Sequence, residues 1–193
     1  MIITGMEDFQ SVCKNRLVKT YNKMFSDVRI NLDNVFIVWA CKTLQNYKAL
    51  ASTTVDGDGE YELIVKWDPS NSHDNSHDGY TGDVILDCYK FDGTQLWRIN
   101  LGKNIRAGAH YTQFLVFDFD GDGKSEMICK TSAGSIDGQG RFVSESATDA
   151  EIRSLDNAAD YRNRRGRIKN GAELLTVFNG ETGKSMQSYS LIC

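Results

Sequence analysis

Asp118-Phe119-Asp120-Gly121-Asp122-Gly123-Lys124-Ser125-Glu126 runs directly into the apolar stretch Met127-Ile128-Cys129, closed by Lys130. Carboxylates at alternating positions, followed by a glycine that tolerates a sharp bend, bring Asp118, Asp120 and Asp122 towards one point, as in the first half of an EF-hand loop. Hard oxygen ligands in this number select calcium. An EF-hand would carry a bidentate glutamate at its twelfth position and continue as a helix, but Cys129 stands there and apolar and β-branched residues follow. The acid comes at the ninth position instead, as Glu126, so the loop feeds a strand. The expected ligands are Asp118, Asp120, Asp122 and Glu126 through their carboxylates, and Lys124 through its backbone carbonyl.

The pattern occurs twice. Thr54-Val55-Asp56-Gly57-Asp58-Gly59-Glu60-Tyr61-Glu62 precedes Leu63-Ile64-Val65-Lys66-Trp67, 64 positions before its counterpart. Thr54 replaces the leading aspartate, which leaves Asp56, Asp58, the Glu60 carbonyl and Glu62 as a weaker calcium set. A lone Asp-Gly-Asp-Gly is equally well a hairpin turn with solvated acids; two copies in register before apolar strands favour the metal. Each copy is followed by a strand, a glycine turn and a returning strand: Val84 to Lys90, turn 91–94 and Gln95 to Ile99 in one, Ala172 to Phe178, turn 179–183 and Lys184 to Ser190 in the other. With the apolar strand Tyr111 to Phe117 leading into the second loop, each unit has four strands, the anatomy of a propeller blade. The predicted fold is therefore all-β, a partial β-propeller of about two blades, the second expanded by a polar insertion from Ser135 to Asn170.

Residues 1–50 differ in texture, with few glycines and dispersed basic residues. Their spacing predicts a helix over 7–25 and one buried strand at Val35 to Trp39. They are read as an atypical N-terminal segment, with 51–193 as the propeller portion. Across the 193 residues, 26 acidic against 22 basic side chains leave a net charge of -4, which provides no field for nucleic acid or anionic lipid. The most apolar run, Val35 to Cys41, is far below the ~20 residues of a membrane span. Five scattered cysteines without a C-x-x-C pair indicate neither a zinc site nor a disulfide framework. The acidic start Met1 to Asp8 lacks the basic and apolar regions of an export signal.

Two longer strings, Gly57 to Asp74 and Leu96 to Lys124, together with Asp160-Tyr161-Arg162-Asn163 and Leu175 to Gly180, closely resemble the rhamnogalacturonan lyases of polysaccharide lyase family 11, over residues 54 to about 185. The resemblance implies an eight-bladed propeller with structural calcium, β-elimination within the galacturonate-rhamnose backbone of pectin, and usually secretion. The first fifty residues do not match, and the chain covers about a quarter of such a propeller. The expectation is a fragment without a working active site of its own.

Elimination beside a uronate carboxylate needs charge neutralisation and a base. The base candidates are His110, before a strand in a small-residue segment, and Lys66 and Lys130, at the same place in each strand after the acidic loop. Arg106, Tyr111 and Arg162 are the candidates for binding a pectic polysaccharide. Each has a plain structural reading beside it, as a satisfied histidine, a strand-end lysine or a surface arginine. The basic run through Arg164, Arg165, Arg167 and Lys169 reads as a solvated loop, and His73 with His77 as loop residues rather than metal ligands. Two functions remain open: a lyase, or a portion of one, and a non-catalytic calcium-stabilised module that binds carbohydrate or protein. An EF-hand sensor is disfavoured by the strand after each loop.

Overall fold

The computed structural model describes residues 47–90, 92–108 and 110–191. The helix expected over 7–25 and the strand at 35–39 lie outside the described residues. Within them the chain forms two four-stranded antiparallel sheets, each with its strands in sequence order. The first contains β1 (Tyr47–Thr53), β2 (Glu62–Trp67), β3 (Ile85–Lys90) and β4 (Gln95–Asn100). The second contains β5 (Phe114–Phe117), β6 (Glu126–Thr131), β7 (Leu174–Asn179) and β8 (Ser185–Ser190). Both repeats predicted from the acidic loops are therefore complete four-stranded units. The strand before each acidic loop pairs with the strand after it, so the strand after the loop is the second of its sheet.

Register determines which side chains share a face. Ile64 lies opposite Cys88, Lys66 opposite Leu86, Leu86 opposite Ile99 and Cys88 opposite Trp97. This apolar face belongs to one buried cluster with Met127, Cys129, Leu174 and Phe178 of the second sheet, so the two sheets stack through it. Each fully buried side chain of this size contributes about 1.5–3 kcal/mol. Burial also pushes the Cys129 thiol up to about 12, which makes it an inert packing group.

Polar contacts lock the stack. The Trp97 indole N–H donates to the Gly180 carbonyl in the β7–β8 turn at 2.6 Å. Gly180 is required there, because a Cβ would lie 1.8 Å from the Ser125 carbonyl oxygen. Asn100 and Ile136 exchange backbone hydrogen bonds, which ties the end of β4 to the start of the long β6–β7 connection.

That connection is ordered, with a 3-10 turn at Val143–Ser146 and a single helical turn, α1 (Ala150–Arg153), capped by Asp149. Asp137 anchors it. Its buried carboxylate accepts from the backbone N–H groups of Gln139, Arg141 and Ser185 and from the Ser185 hydroxyl. Burial alone would raise this carboxyl, but the converging donors hold it below the ordinary carboxylate value.

Two stability measurements follow. Trp97→Phe removes the indole donor and strands a buried carbonyl, so urea unfolding should show a loss of about 1–3 kcal/mol, and Gly180→Ala a larger one. Asp137→Asn should lose a similar amount near neutral pH. A depressed carboxyl stabilises above its unfolded pKa, so the gap between wild type and Asp137→Asn should close as pH falls through the folded value; a gap unchanged between pH 7 and pH 3 would contradict this assignment.

Candidate metal centre and polysaccharide site

In the second loop, carboxylate oxygens of Asp118, Asp120 and Glu126 come within 4.8 Å of one another. The loop is shaped by its own acids. Asp118 accepts from the N–H groups of Gly121, Asp122 and Gly123, Asp120 from that of Asp122, and Asp122 from that of Lys124. Glu126 is buried at the start of β6 and its Oε2 reaches back to the Phe119 N–H at 3.0 Å. Burial pushes the Glu126 carboxyl up, and the three neighbouring aspartates add to that push. Such a set of hard oxygens could hold a metal ion. Asp122, expected as a ligand, stands outside the converging trio, and the Lys124 side chain turns away to Glu181 at 2.8 Å.

The first loop repeats the scaffold. Asp56, Asp58 and Glu62 converge within the same distance, and the buried Glu62 accepts from the Val55 N–H at 2.8 Å, as Glu126 does from Phe119. Its contents differ. Lys90, at the end of β3 directly opposite Glu62, places its ammonium 2.8 Å from Asp56 and 3.0 Å from Asp58. Lys90 holds the Asp56 carboxyl below its ordinary value, while burial pushes Glu62 up. Nothing in the sequence singles out Lys90, since only the β2–β3 register brings it to the loop.

Four of the polysaccharide candidates, His110, Tyr111, Lys66 and Arg106, gather where the β4–β5 connection meets the β2–β3 and β6–β7 connections. His110 is 81% exposed, with Nδ1 2.9 Å from Asp74 Oδ2. Its turn is rigidly built: Thr112 adopts a φ of 58°, the Tyr111 hydroxyl accepts from the Asn75 N–H, and the Tyr111 carbonyl accepts from the Lys66 ammonium at 2.5 Å. Gly108 leaves room for Asp74 and the Tyr111 ring, either of which would lie 2.7 Å from a Cβ. Lys66 is thus a buried support beneath the His110 turn rather than a group open to a ligand.

Arg106 is likewise internal. Its guanidinium donates to the carbonyls of Gly79, Gly166 and His77, clamping the two connections together. The fork expected to bind a uronate carboxylate is committed to the chain's own backbone. Lys130, on the other sheet, pairs with Glu173. Arg162 makes a two-pronged contact to Asp160, whose carboxyl it draws down to about 2, and stacks over Tyr80 at 4.7 Å. Arg165 and Arg167 of the basic run both face Asp78. His73 and His77 meet edge to face with ring centres 6.3 Å apart, outside either acidic group. The structure therefore brings His110, Tyr111, Lys66 and Arg106 into one neighbourhood and leaves Lys130 apart. Asp74, absent from the sequence-derived candidates, holds the His110 ring.

Residues 41–192 match the profile of the C-terminal domain of rhamnogalacturonan lyase family 11. The rhamnogalacturonan exolyase YesX of Bacillus subtilis (strain 168) is 61% identical over 132 residues, which are 68% of this chain and 20% of that protein. The endolyase YesW of the same organism is 62% identical over the same length and shares. A rhamnogalacturonan lyase PL11 structure from Bacillus licheniformis superposes with a TM-score of 0.68 at 56% identity, covering 75% of this chain and 23% of that one. The crystal structure of YesW gives the same TM-score, with 76% of this chain and 23% of that one covered. The chain spans about a fifth of the length of the curated relatives it matches. Two loop-led four-stranded sheets, a matching domain profile and identity above one half together place it: the chain belongs to rhamnogalacturonan lyase family 11.

Proposed function

We propose that the chain forms two neighbouring propeller blades of a rhamnogalacturonan lyase, held by calcium at the second acidic loop, and serves β-elimination in the galacturonate-rhamnose backbone of pectin as part of that enzyme. The observation that carries this reading is the pair of complete four-stranded units, each opened by an acidic loop, in a chain of this family. We read the lyase portion as beginning no later than Tyr47, the start of β1, rather than at residue 51.

Propeller geometry is supported by a comparison of equivalent faces. Ile64, Leu86, Cys88 and Ile99 of the first sheet correspond by register to Ile128, Leu175, Val177 and Tyr189 of the second. In the first sheet that face is covered by the second sheet. In the second sheet the same face leaves Leu115 and Phe117 65% exposed and Tyr189 53% exposed. An apolar face of that kind calls for cover, which in a propeller is the next blade.

A bound calcium would neutralise the crowded carboxylates of Asp118, Asp120 and Glu126 and tie the loop to the start of β6. Secretion, usual in the family resembled, is the setting in which weak calcium sites of this sort are filled. At a dissociation constant of about 0.1–1 mM, calcium at about 1 mM would add about 0.4–1.4 kcal/mol. Calorimetry should then show melting raised by about 1–6 °C at about 1 mM calcium, and the shift should vanish in Asp120→Ala. A melting point indifferent to calcium would remove the metal from this account.

For the polysaccharide, His110 is the sequence-nominated base that is presented to solvent, with Asp74 orienting its ring and leaving Nε2 towards the outside. A non-catalytic binding role is favoured by one observation: Arg106 and Lys66, the neighbouring cations, are bound to backbone carbonyls and so do not form a carboxylate clamp beside His110. Exchange of the matching 132-residue segment of YesW for this one separates the readings. The lyase reading expects a chimera that releases unsaturated product, detected by ultraviolet absorbance, and a His110→Ala chimera slowed by about 100-fold or more. A folded chimera that binds rhamnogalacturonan and is unaffected by His110→Ala would leave His110 without a catalytic part.

A further inference from the structure

The two acidic loops share a scaffold and differ in one element, the side chain that the third strand delivers opposite the glutamate. In the first sheet that residue is Lys90, facing Glu62; in the second it is Asn179, facing Glu126. Asn179 is used locally, its side-chain oxygen accepting from the Thr182 N–H and hydroxyl to close the β7–β8 turn. Lys90 instead extends into the acidic loop, where its ammonium bonds both Asp56 and Asp58.

We propose that Lys90 is the resident cation of the first loop and that this loop, despite its calcium-type sequence, takes no divalent ion, so that the chain binds one calcium at the second loop rather than one at each. The inference rests on the calcium reading of the second loop and sharpens it. Three observations support it. The ammonium bonds two of the three converging carboxylates, so an entering ion would meet a positive charge at its own position. The leading aspartate is absent, Thr54 standing where Asp118 provides a carboxylate, which lowers the ligand charge that sets calcium affinity. The second loop also lies against the first: the Thr54 carbonyl accepts from the Ser125 N–H at 3.0 Å, and the Lys124 methylenes pass over Gly57 at 3.3 Å from where its Cβ would stand. The first loop thus sits beneath a second lysine as well.

An internal ammonium gives the first loop a cohesion independent of calcium, whereas the second loop responds to the ion. Lys90 is accordingly the residue that distinguishes a permanent staple from a conditional one.

Calcium titration calorimetry on the 193-residue chain tests this, with far-ultraviolet circular dichroism to establish folding. The wild type should bind one calcium, Asp120→Ala none, and the double variant Asp56→Asn/Asp58→Asn still one. Lys90→Asn, which installs the residue of the second repeat, and Lys90→Met should each bind two, and addition of Asp58→Ala should return the count to one. Two results overturn the proposal: loss of a site from the wild type on Asp56→Asn/Asp58→Asn, or no gain in folded Lys90 variants. Should the Lys90 variants fail to fold, the aspartate double variant decides alone. Absence of binding in the wild type, with a site gained in Lys90→Asn, would instead refute the second-loop calcium reading while sustaining the role of Lys90.

Discussion

A buried glutamate at the start of a strand, reaching seven residues back to a backbone N–H, organises each half of this molecule. Glu62 binds the Val55 N–H and Glu126 the Phe119 N–H. The contact closes the acidic loop, aligns the strand before it with the strand after it, and places a carboxylate under the aspartates. A buried charge of this kind is costly unless further partners arrive. The requirement for positive charge at the loop is therefore built into the fold, and the two repeats offer different means of meeting it.

The stacking of the sheets depends on the same ends of the strands. The Thr54 carbonyl and the Ser125 N–H join the two loops, and a few ångströms away Trp97 reaches the Gly180 carbonyl beneath the β7–β8 turn. Loop closure, strand register and sheet stacking thus meet in one small region, and a change at any of them is felt by the others. The opposite end of the sheets has another character. There Arg106 fastens the β2–β3 and β6–β7 connections by binding a carbonyl of each, and Asn104 ties two carbonyls of the β6–β7 connection to the β4–β5 connection. The polar surface that carries His110 is held by internal donors and acceptors, which gives it the stiffness that a binding surface needs.

Much of this was legible beforehand because it depends on local spacing. The alternating aspartates of 118–122, the repetition 64 positions earlier and the glycine turns at 93 and 180 identified four-stranded units. Equal spacing could not show how each repeat fills its loop. Lys90 is an unremarkable strand-end lysine in the sequence and becomes part of the acidic cluster through cross-strand pairing with Glu62. The same holds for Asp74, which is 36 residues from His110 and meets it through a folded connection. Arg106 shows the converse. Its position before Ala107-Gly108 invited a ligand-binding role, yet carbonyls more than twenty-five residues away in sequence claim its donors.

The amino-acid order by itself determined the all-β character, the number of strands per unit, the location of the carboxylates and the family, since each is written in residue types at short, regular intervals. Tertiary structure alone decided which charges are paired, which face is covered and which histidine is held by a carboxylate. Those outcomes depend on side chains brought together across strands and connections, where distance along the chain conveys nothing about distance in space.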